Sequence, residues 1–304
     1  MRLTRRRLIA ISAAAAFLPA VARARPPARV WTGQALGARA SIRLDHPDAL
    51  AIAARALAEI ERLEGILSLY RADSALSRLN RDGRLAAPPF ELLECLSICA
   101  AVHRASTGRF DPTVQPLWQL WAEAAIAGRR PGDAQIETVL RRTGWGGVTI
   151  GADAITLRPG MALTLNGVGQ GYVADRIALL LEAEGLTDIL IDTGEFRALG
   201  GQPGGGAWPV KLAAGGSVGL RQRALATSAP LGTCFDAQGR DGHILDPRSG
   251  RPVRAGWREI TVSAPSAGLA DALTTAACAM PDEAGLRAMI AGFDGARLEA
   301  AHRA

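Results

Sequence analysis

The chain has 304 residues, of which 48% are hydrophobic, and a formal net charge of +6 at pH 7. Five of its arginines lie in the first 24 residues, which contain no acidic side chain, so the rest of the chain is almost neutral. A strongly basic surface for nucleic acid is therefore excluded, and the length and apolar content suit one large domain or two closely packed lobes.

The N-terminal segment has the composition of an export signal. The basic stretch Thr4-Arg5-Arg6-Arg7 precedes an apolar run that ends at Leu18, and Ala22-Arg23-Ala24 offers a cleavage site between small residues. The paired arginines indicate the twin-arginine route, with an ordinary secretory signal as the alternative. The apolar run is too short to span a bilayer. We therefore expect a signal peptide at 1–24, a periplasmic mature protein at 25–304 and no membrane-embedded segment.

The remaining chain mixes helical and strand patterns, which predicts an α+β fold. Helical spacing of apolar residues predicts helices at 48–67, 74–80, 90–106, 133–142, 172–183, 267–280 and 281–290, and around Trp118 and Trp121. Alternation and turn residues predict strands at 40–44, 148–150, 154–157, 163–165 and 189–191, then several short strands between 195 and 263. Two helices are expected to close the chain.

An aspartate and a threonine near the C-terminus are spaced for one face of a helix. Asp271 and Thr275 are four residues apart in a helical segment, so their side chains can direct oxygens at one point. Carboxylate and hydroxyl oxygens suit Mg²⁺ or Ca²⁺ rather than zinc. The pair predicts a site for a hard cation and, with a histidine nearby, suggests chemistry on phosphate groups.

His243 lies directly before a rigid turn, in the string His-Ile-Leu-Asp-Pro-Arg-Ser-Gly-Arg-Pro. A single histidine in a strand is more often structural than catalytic. An imidazole with a near-neutral pKa can nevertheless take a proton from a hydroxyl nucleophile. We therefore interpret His243 as a candidate general base.

Three further segments carry groups that could contact a ligand. The turn 166–171 has three glycines before a helix and can cradle a phosphate, although a plain tight turn explains it equally well. Ser228 ends a strand at a proline-containing loop and offers a hydroxyl. Tyr70, one of two tyrosines, lies in a loop where its ring could stack on a flat ligand or cover the core.

Six short segments, taken together in chain order, resemble the ApbE family of FAD:protein FMN transferases. They are SLYRADS from Ser68 with Leu79-Asn80, GRFDPTVQPL from Gly108, NGVGQGYVADR from Asn166, ATS from Ala226, HILDP from His243 and ADALTTA from Ala270. The segments span nearly all of the mature chain. The arginine-rich signal and the Asn-Gly-x-x-Gln-Gly variant are similar to the NosX-like branch, which is associated with nitrous oxide reductase maturation.

The resemblance implies a single domain with a mixed or antiparallel sheet and flanking helices. It implies that a threonine hydroxyl of a periplasmic or membrane flavoprotein attacks FAD at the FMN phosphorus, with Mg²⁺ at the pyrophosphate and AMP leaving. His243 would take the threonine proton. Asp271, Thr275 and a backbone carbonyl in the turn from Gly167 to Gly169 would hold the metal. FAD would contact residues spread along the chain: Leu36, Tyr70, Arg109, Phe110, Asp111, Thr164, Gln170, Ser228 and Leu245.

The chain departs from the family pattern at several positions. Thr164 and Gln170 stand where an aspartate and a lysine are common, so two opposite charges are absent together. Their joint absence preserves neutrality if they paired, and lowers FAD affinity if the lysine contacted a phosphate. Leu36 and Ala38 stand where methionine and threonine are usual, which removes a hydroxyl near the flavin. The metal pair and the histidine remain, so we expect an active transferase with altered flavin contacts.

Two alternatives stay open at this point. The same metal and base could activate water, which would make the protein an FAD pyrophosphatase that releases FMN and AMP. A flavin-binding assembly factor for a respiratory enzyme, without turnover, is the second alternative. The fate of the flavin separates the three hypotheses: covalent on a protein, free as FMN, or retained as FAD.

Overall fold

A computed structural model describes residues 29–44, 48–202, 204–254 and 256–304, so the predicted signal peptide at 1–24 lies outside the described residues. The helices in these ranges are α1 Ala49–Leu67, α2 Ala75–Asp82, α3 Phe90–Ala105, α4 Gln115–Ile126, α5 Asp133–Leu140, α6 Gly169–Ala183, α7 Ala267–Cys278 and α8 Glu283–Ala291. The strands are β1 Arg29–Ala35, β2 Ala38–Leu44, β3 Arg84–Ala86, β4 Val148–Ile150, β5 Ala154–Leu157, β6 Ile189–Asp192, β7 Phe196–Leu199, β8 Trp208–Lys211, β9 Ser217–Leu220, β10 Ala224–Ser228, β11 Leu245–Asp246, β12 Arg251–Pro252, β13 Trp257–Ala264 and β14 Arg297–Arg303.

Seven strands form a central sheet in the order β1-β2-β6-β7-β10-β13-β14, with every neighbouring pair antiparallel. Helices α6 and α7 pack against this sheet, and α1 and α3 pack against these two helices. The hairpin β8–β9 contributes Val210 and Leu220 to a second cluster with Ala198 and Leu225 of the sheet. The α+β class and the antiparallel sheet with flanking helices are therefore confirmed.

Helices α6 and α7 approach each other closely at Gly171. A β-carbon at this position would lie 2.2 Å from the carbonyl oxygen of Ala267. Asp175 of α6 fixes the crossing, because its carboxylate accepts hydrogen bonds from the backbone N–H groups of Ala267 (2.8 Å) and Gly268 (2.9 Å) at the N-terminus of α7. The crossing places Asp271 of α7 beside the first turn of α6.

Gly171→Ala is expected to lower the free energy of unfolding by about 1–3 kcal/mol, because the added methyl group forces two backbones apart. Gly65→Ala on α1 is the matched control. A β-carbon there meets no atom within 4 Å, and alanine favours a helix interior by about 0.5–1 kcal/mol. Urea unfolding of both variants measures the difference, and equal stabilities would contradict the close crossing.

The prediction of a strand at 163–165 was wrong, because this segment pairs with no strand among the described residues. Its backbone groups bond elsewhere. Asn80 accepts from the N–H of Leu163 (2.7 Å) and donates to its carbonyl (2.8 Å), and the N–H of Thr164 donates to the carbonyl of Pro112 (2.8 Å). A side chain and a loop thus take the place of a neighbouring strand, which the local pattern of apolar residues does not specify.

The two C-terminal helices are present, but they do not close the chain. Strand β14 follows them and pairs with β13 at the edge of the sheet, with two register irregularities. Helix α6 begins at Gly169, three residues before the predicted start. In the part of the chain that the structure describes, no helix combines the length and apolarity needed to cross a bilayer.

Candidate functional site

The predicted metal pair lies on α7 where this helix meets the N-terminal turn of α6. Asp271 is 4% exposed, and a carboxylate oxygen accepts from the backbone N–H of Gly171 at 3.4 Å. A β-carbon on Gly167 would lie 2.8 Å from the hydroxyl oxygen of Thr275, so the Gly167 backbone passes directly beside that side chain. The structure therefore brings Asp271, Thr275 and Gly167 together, and each can offer an oxygen donor.

Gly167 and Gly169 differ in whether the backbone carbonyl is available to a metal ion. Gly169 is the first residue of α6, where a carbonyl points along the axis into the hydrogen bonds of the helix itself. Gly167 precedes the helix, and no loop or cap backbone bond in the described residues uses its carbonyl. A β-carbon at Gly169 would lie 2.7 Å from Cδ1 of Leu36. Gly167 is thus placed to offer an oxygen near Thr275, and Gly169 makes room for Leu36.

A second buried carboxylate, that of Glu195, lies close enough to Asp271 for the two negative charges to repel each other, and it was not predicted. Glu195 follows the turn between β6 and β7, is 9% exposed, and accepts a hydrogen bond from the backbone N–H of Thr227. Burial raises the pKa of Asp271 to about 7. Burial, together with the charge of Asp271, also raises the pKa of Glu195. An acidic residue directly after a strand and a tight turn is the sequence signal that could have indicated it.

Ser228 ends β10 beside α7. Its hydroxyl donates to the hydroxyl of Thr274 (2.9 Å), which donates in turn to the backbone carbonyl of Asp271 (2.9 Å). This chain of hydrogen bonds ties the end of the strand to the helix that carries the metal pair. Ser228 therefore lies close to the site, with its hydroxyl hydrogen directed at Thr274.

His243 lies in the loop that connects β10 with β11, outside any strand. Its ring Nδ1 lies 3.1 Å from the carbonyl oxygen of Thr233. Because a carbonyl can only accept, Nδ1 carries the proton and Nε2 keeps its lone pair. Burial lowers the pKa of His243, and the carbonyls of Thr233 and Pro230 oppose that shift. The imidazole is therefore neutral at pH 7 and able to act as a base through Nε2.

The loop that carries His243 is anchored by Asp241. This side chain is 2% exposed and pairs with Arg130 (2.5 Å) and Arg254 (3.4 Å), which come from the α4–α5 connection and from the segment after β12. Asp236 accepts from the backbone N–H of Asp241 at 2.8 Å. A buried carboxylate with two cationic partners fixes the backbone two residues before the imidazole.

Leu36 and Tyr70 border the turn 166–171 from two other parts of the chain. Tyr70 is 53% exposed, and its phenol forms a hydrogen bond with the side chain of Asn166. Leu36 lies in the β1–β2 hairpin with φ 49°, and its N–H donates to the Glu64 carboxylate at 2.8 Å. A non-glycine residue held in the left-handed region is uncommon and often found at ligand sites. Both residues thus contact the same turn that holds Gly167.

The side chains of Arg109–Asp111 bond to or pack against other parts of the protein. Arg109 donates to the carbonyl of Ala279 at 3.0 Å, and Phe110 is buried in the main core. The Asp111 carboxylate accepts from the N–H and hydroxyl of Thr113 and from the N–H of Trp145. These side chains position the loop before α4.

Three other predicted ligand-binding residues differ in the burial and hydrogen bonding of their side chains. The hydroxyl of Thr164 accepts from the N–H of Asn166 at 3.2 Å. Gln170 forms no side-chain hydrogen bond within the described residues, and its carbonyl accepts from the Thr193 hydroxyl at 3.1 Å. Leu245 is 5% exposed and packs in a cluster beneath α4 and α5. Of these three, Gln170 has the side chain that is free to contact a ligand.

Residues 36–295 match the model of the ApbE family. The FAD:protein FMN transferase of Salmonella typhimurium is 28% identical over 295 residues, which cover 88% of this chain and 84% of that protein. The apo structure of the flavinyl transferase ApbE of Pseudomonas stutzeri is similar with a TM-score of 0.76 and 28% identity, covering 87% of this chain and 88% of that one. The ApbE protein of Thermotoga maritima is similar with a TM-score of 0.79 and 26% identity, covering 91% and 97%. The matched range contains every residue of the site.

Proposed function

Because the chain belongs to the ApbE family, we propose that it is an FAD:protein FMN transferase, which moves FMN from FAD onto another protein. The observation that carries the proposal is the family match over 36–295, a range that contains His243, Asp271 and Thr275. The similarity to the Salmonella typhimurium protein over most of both chains supports it.

Mg²⁺ is the cofactor proposed for the α6–α7 junction. The donors there are a buried carboxylate, a hydroxyl and a backbone carbonyl, which are the hard oxygens that Mg²⁺ prefers. Asp271, Thr275 and Gly167 would hold the ion. Bound there, Mg²⁺ would neutralise negative charge on the pyrophosphate of FAD.

The proposed reaction moves the FMN phosphorus from one oxygen to another. A threonine hydroxyl of the target protein attacks this phosphorus, the new P–O bond forms, and the P–O bond to AMP breaks. AMP leaves with the electron pair of the broken bond. His243, neutral and with a free lone pair on Nε2, accepts the threonine proton.

The residues proposed to bind FAD include some that would contact it through their side chains and others that would position the backbone. Leu36 and Tyr70 border the turn 166–171 and Gln170 lies within it, and these three would contact FAD through their side chains. Arg109–Asp111 and Leu245 are engaged inside the protein and would act by positioning the backbone. Thr164 and Ser228 complete the proposed set.

We further propose that the protein works in the periplasm after twin-arginine export, with a signal at 1–24 and the transferase domain at 25–304. Its target would be a flavoprotein with an accessible threonine. The similarity of the turn 166–171 to the NosX-like branch favours a target in a respiratory or nitrous oxide reductase system.

Intact mass spectrometry tests the proposed function. The purified protein is mixed with FAD, Mg²⁺ and a threonine-bearing periplasmic flavoprotein domain, and the domain is then weighed. A mass gain equal to one FMN minus one water, as a phosphoester requires, is the expected result, and EDTA should abolish it. Free FMN and AMP without a mass gain would identify a pyrophosphatase. Bound FAD without either product, across several target domains, would identify a flavin-binding assembly factor.

Asp241→Asn is expected to lower kcat for FMN transfer about tenfold and to leave the Kd for FAD unchanged. The substitution removes the charge that holds Arg130 and Arg254, so the loop before His243 loosens, and small displacements of a catalytic group are costly. Asp133→Asn, which breaks the exposed pair with Arg251, is the matched control and should have no effect. Steady-state kinetics and FAD titration check both variants, and an equal loss of kcat in both would refute the anchoring role.

A further inference from the structure

Glu195 and Asp271 are both buried and both linked to the first turn of α6, Glu195 through Thr193 and Asp271 through the N–H of Gly171. They are 9% and 4% exposed. Within the described residues, no arginine, lysine or histidine pairs with either of them. Two neighbouring acidic groups are therefore buried without a cationic side chain.

Hydrogen bonds join Glu195 to β10 and join its turn to α6. The N–H of Thr193 donates to the Glu195 carbonyl (3.1 Å), and the Thr193 hydroxyl donates to the carbonyl of Gln170 in the first turn of α6 (3.1 Å). The backbone N–H of Thr227 on β10 donates to the Glu195 carboxylate. The turn after β6 is thus fixed to the same helix turn whose Gly171 N–H bonds Asp271.

One backbone donor for each carboxylate does not replace the water that an ionised carboxylate loses on burial. An unpaired buried charge is costly, and a second like charge beside it adds to the cost. The pair therefore needs protons or a cation. Protonation of the carboxyl groups is the first solution. A divalent cation beside Asp271 and Thr275 provides the second, because it attracts both negative charges at once.

We infer that Glu195 supplies a second negative charge to the metal centre proposed above and strengthens divalent-cation binding at Asp271 and Thr275. The inference rests on the proposed function, since it assumes the metal centre. Glu195 is a positioning residue for the ion and takes no part in the transfer of the phosphoryl group. Removing such a partner of a metal site commonly weakens metal affinity by about 10-fold to 100-fold.

Mn²⁺ binding measured by electron paramagnetic resonance tests this role without reference to activity. The full-length wild type and Glu195→Gln are titrated with Mn²⁺, with and without FAD. The Kd for Mn²⁺ should rise at least about tenfold in the variant. Glu259→Gln makes the same chemical change at another buried glutamate, on β13, and should bind Mn²⁺ like the wild type.

Thermal unfolding separates this role from a purely structural one. In EDTA at pH 8, Glu195→Gln should have a Tm equal to or above that of the wild type, because an uncompensated buried charge is gone. Added Mg²⁺ should raise the Tm of the wild type more than that of the variant. A lower Tm of the variant in EDTA, with an unchanged response to Mg²⁺, would assign Glu195 to the fold alone and overturn the inference.

Glu195→Asp distinguishes charge from shape and keeps the inference testable if the glutamine variant folds poorly. The shorter acid retains the negative charge, so it should bind Mn²⁺ more tightly than Glu195→Gln. Equal Mn²⁺ affinity in the wild type and both variants would refute the role of Glu195 and leave the metal centre intact. Absence of Mn²⁺ binding by the wild type, with and without FAD, would refute the proposed metal centre itself.

Discussion

Asp271→Asn is expected to lower FMN transfer by roughly two to three orders of magnitude. A metal ion that stabilises charge on a phosphoryl group contributes several kcal/mol, and each 1.36 kcal/mol is a factor of ten in rate. Asparagine keeps the size of the side chain but removes the negative charge that would bind Mg²⁺. The measurement is the rate of FMN adduct formation on a target domain at saturating FAD and Mg²⁺.

Asp282→Asn provides the matched control for this substitution. Asp282 caps α8 by accepting from the N–H of Gly285 (2.8 Å), and asparagine caps a helix about as well as aspartate. Its transfer rate should therefore equal that of the wild type. Transfer by Asp271→Asn within tenfold of the wild-type rate would contradict the assignment of Asp271 to the metal centre.

Asp271→Asn should lower the transfer rate, but without metal it should stabilise the fold at high pH. Burial raises the pKa of Asp271 from 3.8 to about 7, so the folded state binds its proton more tightly than the unfolded state does. Without metal, the wild type should therefore lose stability as the pH rises from about 4 through about 7, where the carboxyl ionises. Asp271→Asn does not ionise there, and urea unfolding in EDTA should show that it retains this stability at pH 8.

His243→Asn is expected to lower kcat by roughly 10²-fold to 10⁴-fold, the usual contribution of a general base, with little change in the Kd for FAD. The amide of asparagine cannot accept the threonine proton. His302→Asn on the edge strand β14 makes the same change away from the site and should leave kcat unaltered. Comparable losses in the two variants, or a loss confined to FAD binding, would contradict the proposed role.

The pH dependence of kcat gives an independent check on His243. The base must be neutral to accept a proton, and burial holds its pKa below the ordinary 6.5. The acidic limb of the profile should therefore have its midpoint below pH 6.5 in the wild type and should be lost with His243→Asn. A midpoint above 6.5 would assign that limb to another group.

Local patterns were sufficient for most elements of this fold. Apolar spacing located α1, α3 and α7 to within a few residues, because each helix forms its hydrogen bonds within its own segment. The hairpin β4–β5 followed from two short strands around a tight turn. The prediction failed at 163–165, where the backbone of Leu163 bonds to the side chain of Asn80, 83 residues away in the chain, instead of to a strand.

The sequence by itself determined the family resemblance, the α+β class and the pairing of Asp271 with Thr275. The resemblance rests on short segments in a fixed order, and the pairing rests on helical periodicity alone. The tertiary structure decided that Gly167 lies beside Thr275, that Asp241 anchors the loop of His243, and that Glu195 is buried with Asp271. These features depend on contacts between segments that are distant in the chain, such as the hydrogen bond between Gly171 and Asp271, which are 100 residues apart. Such contacts form only when the helices and the sheet have packed together.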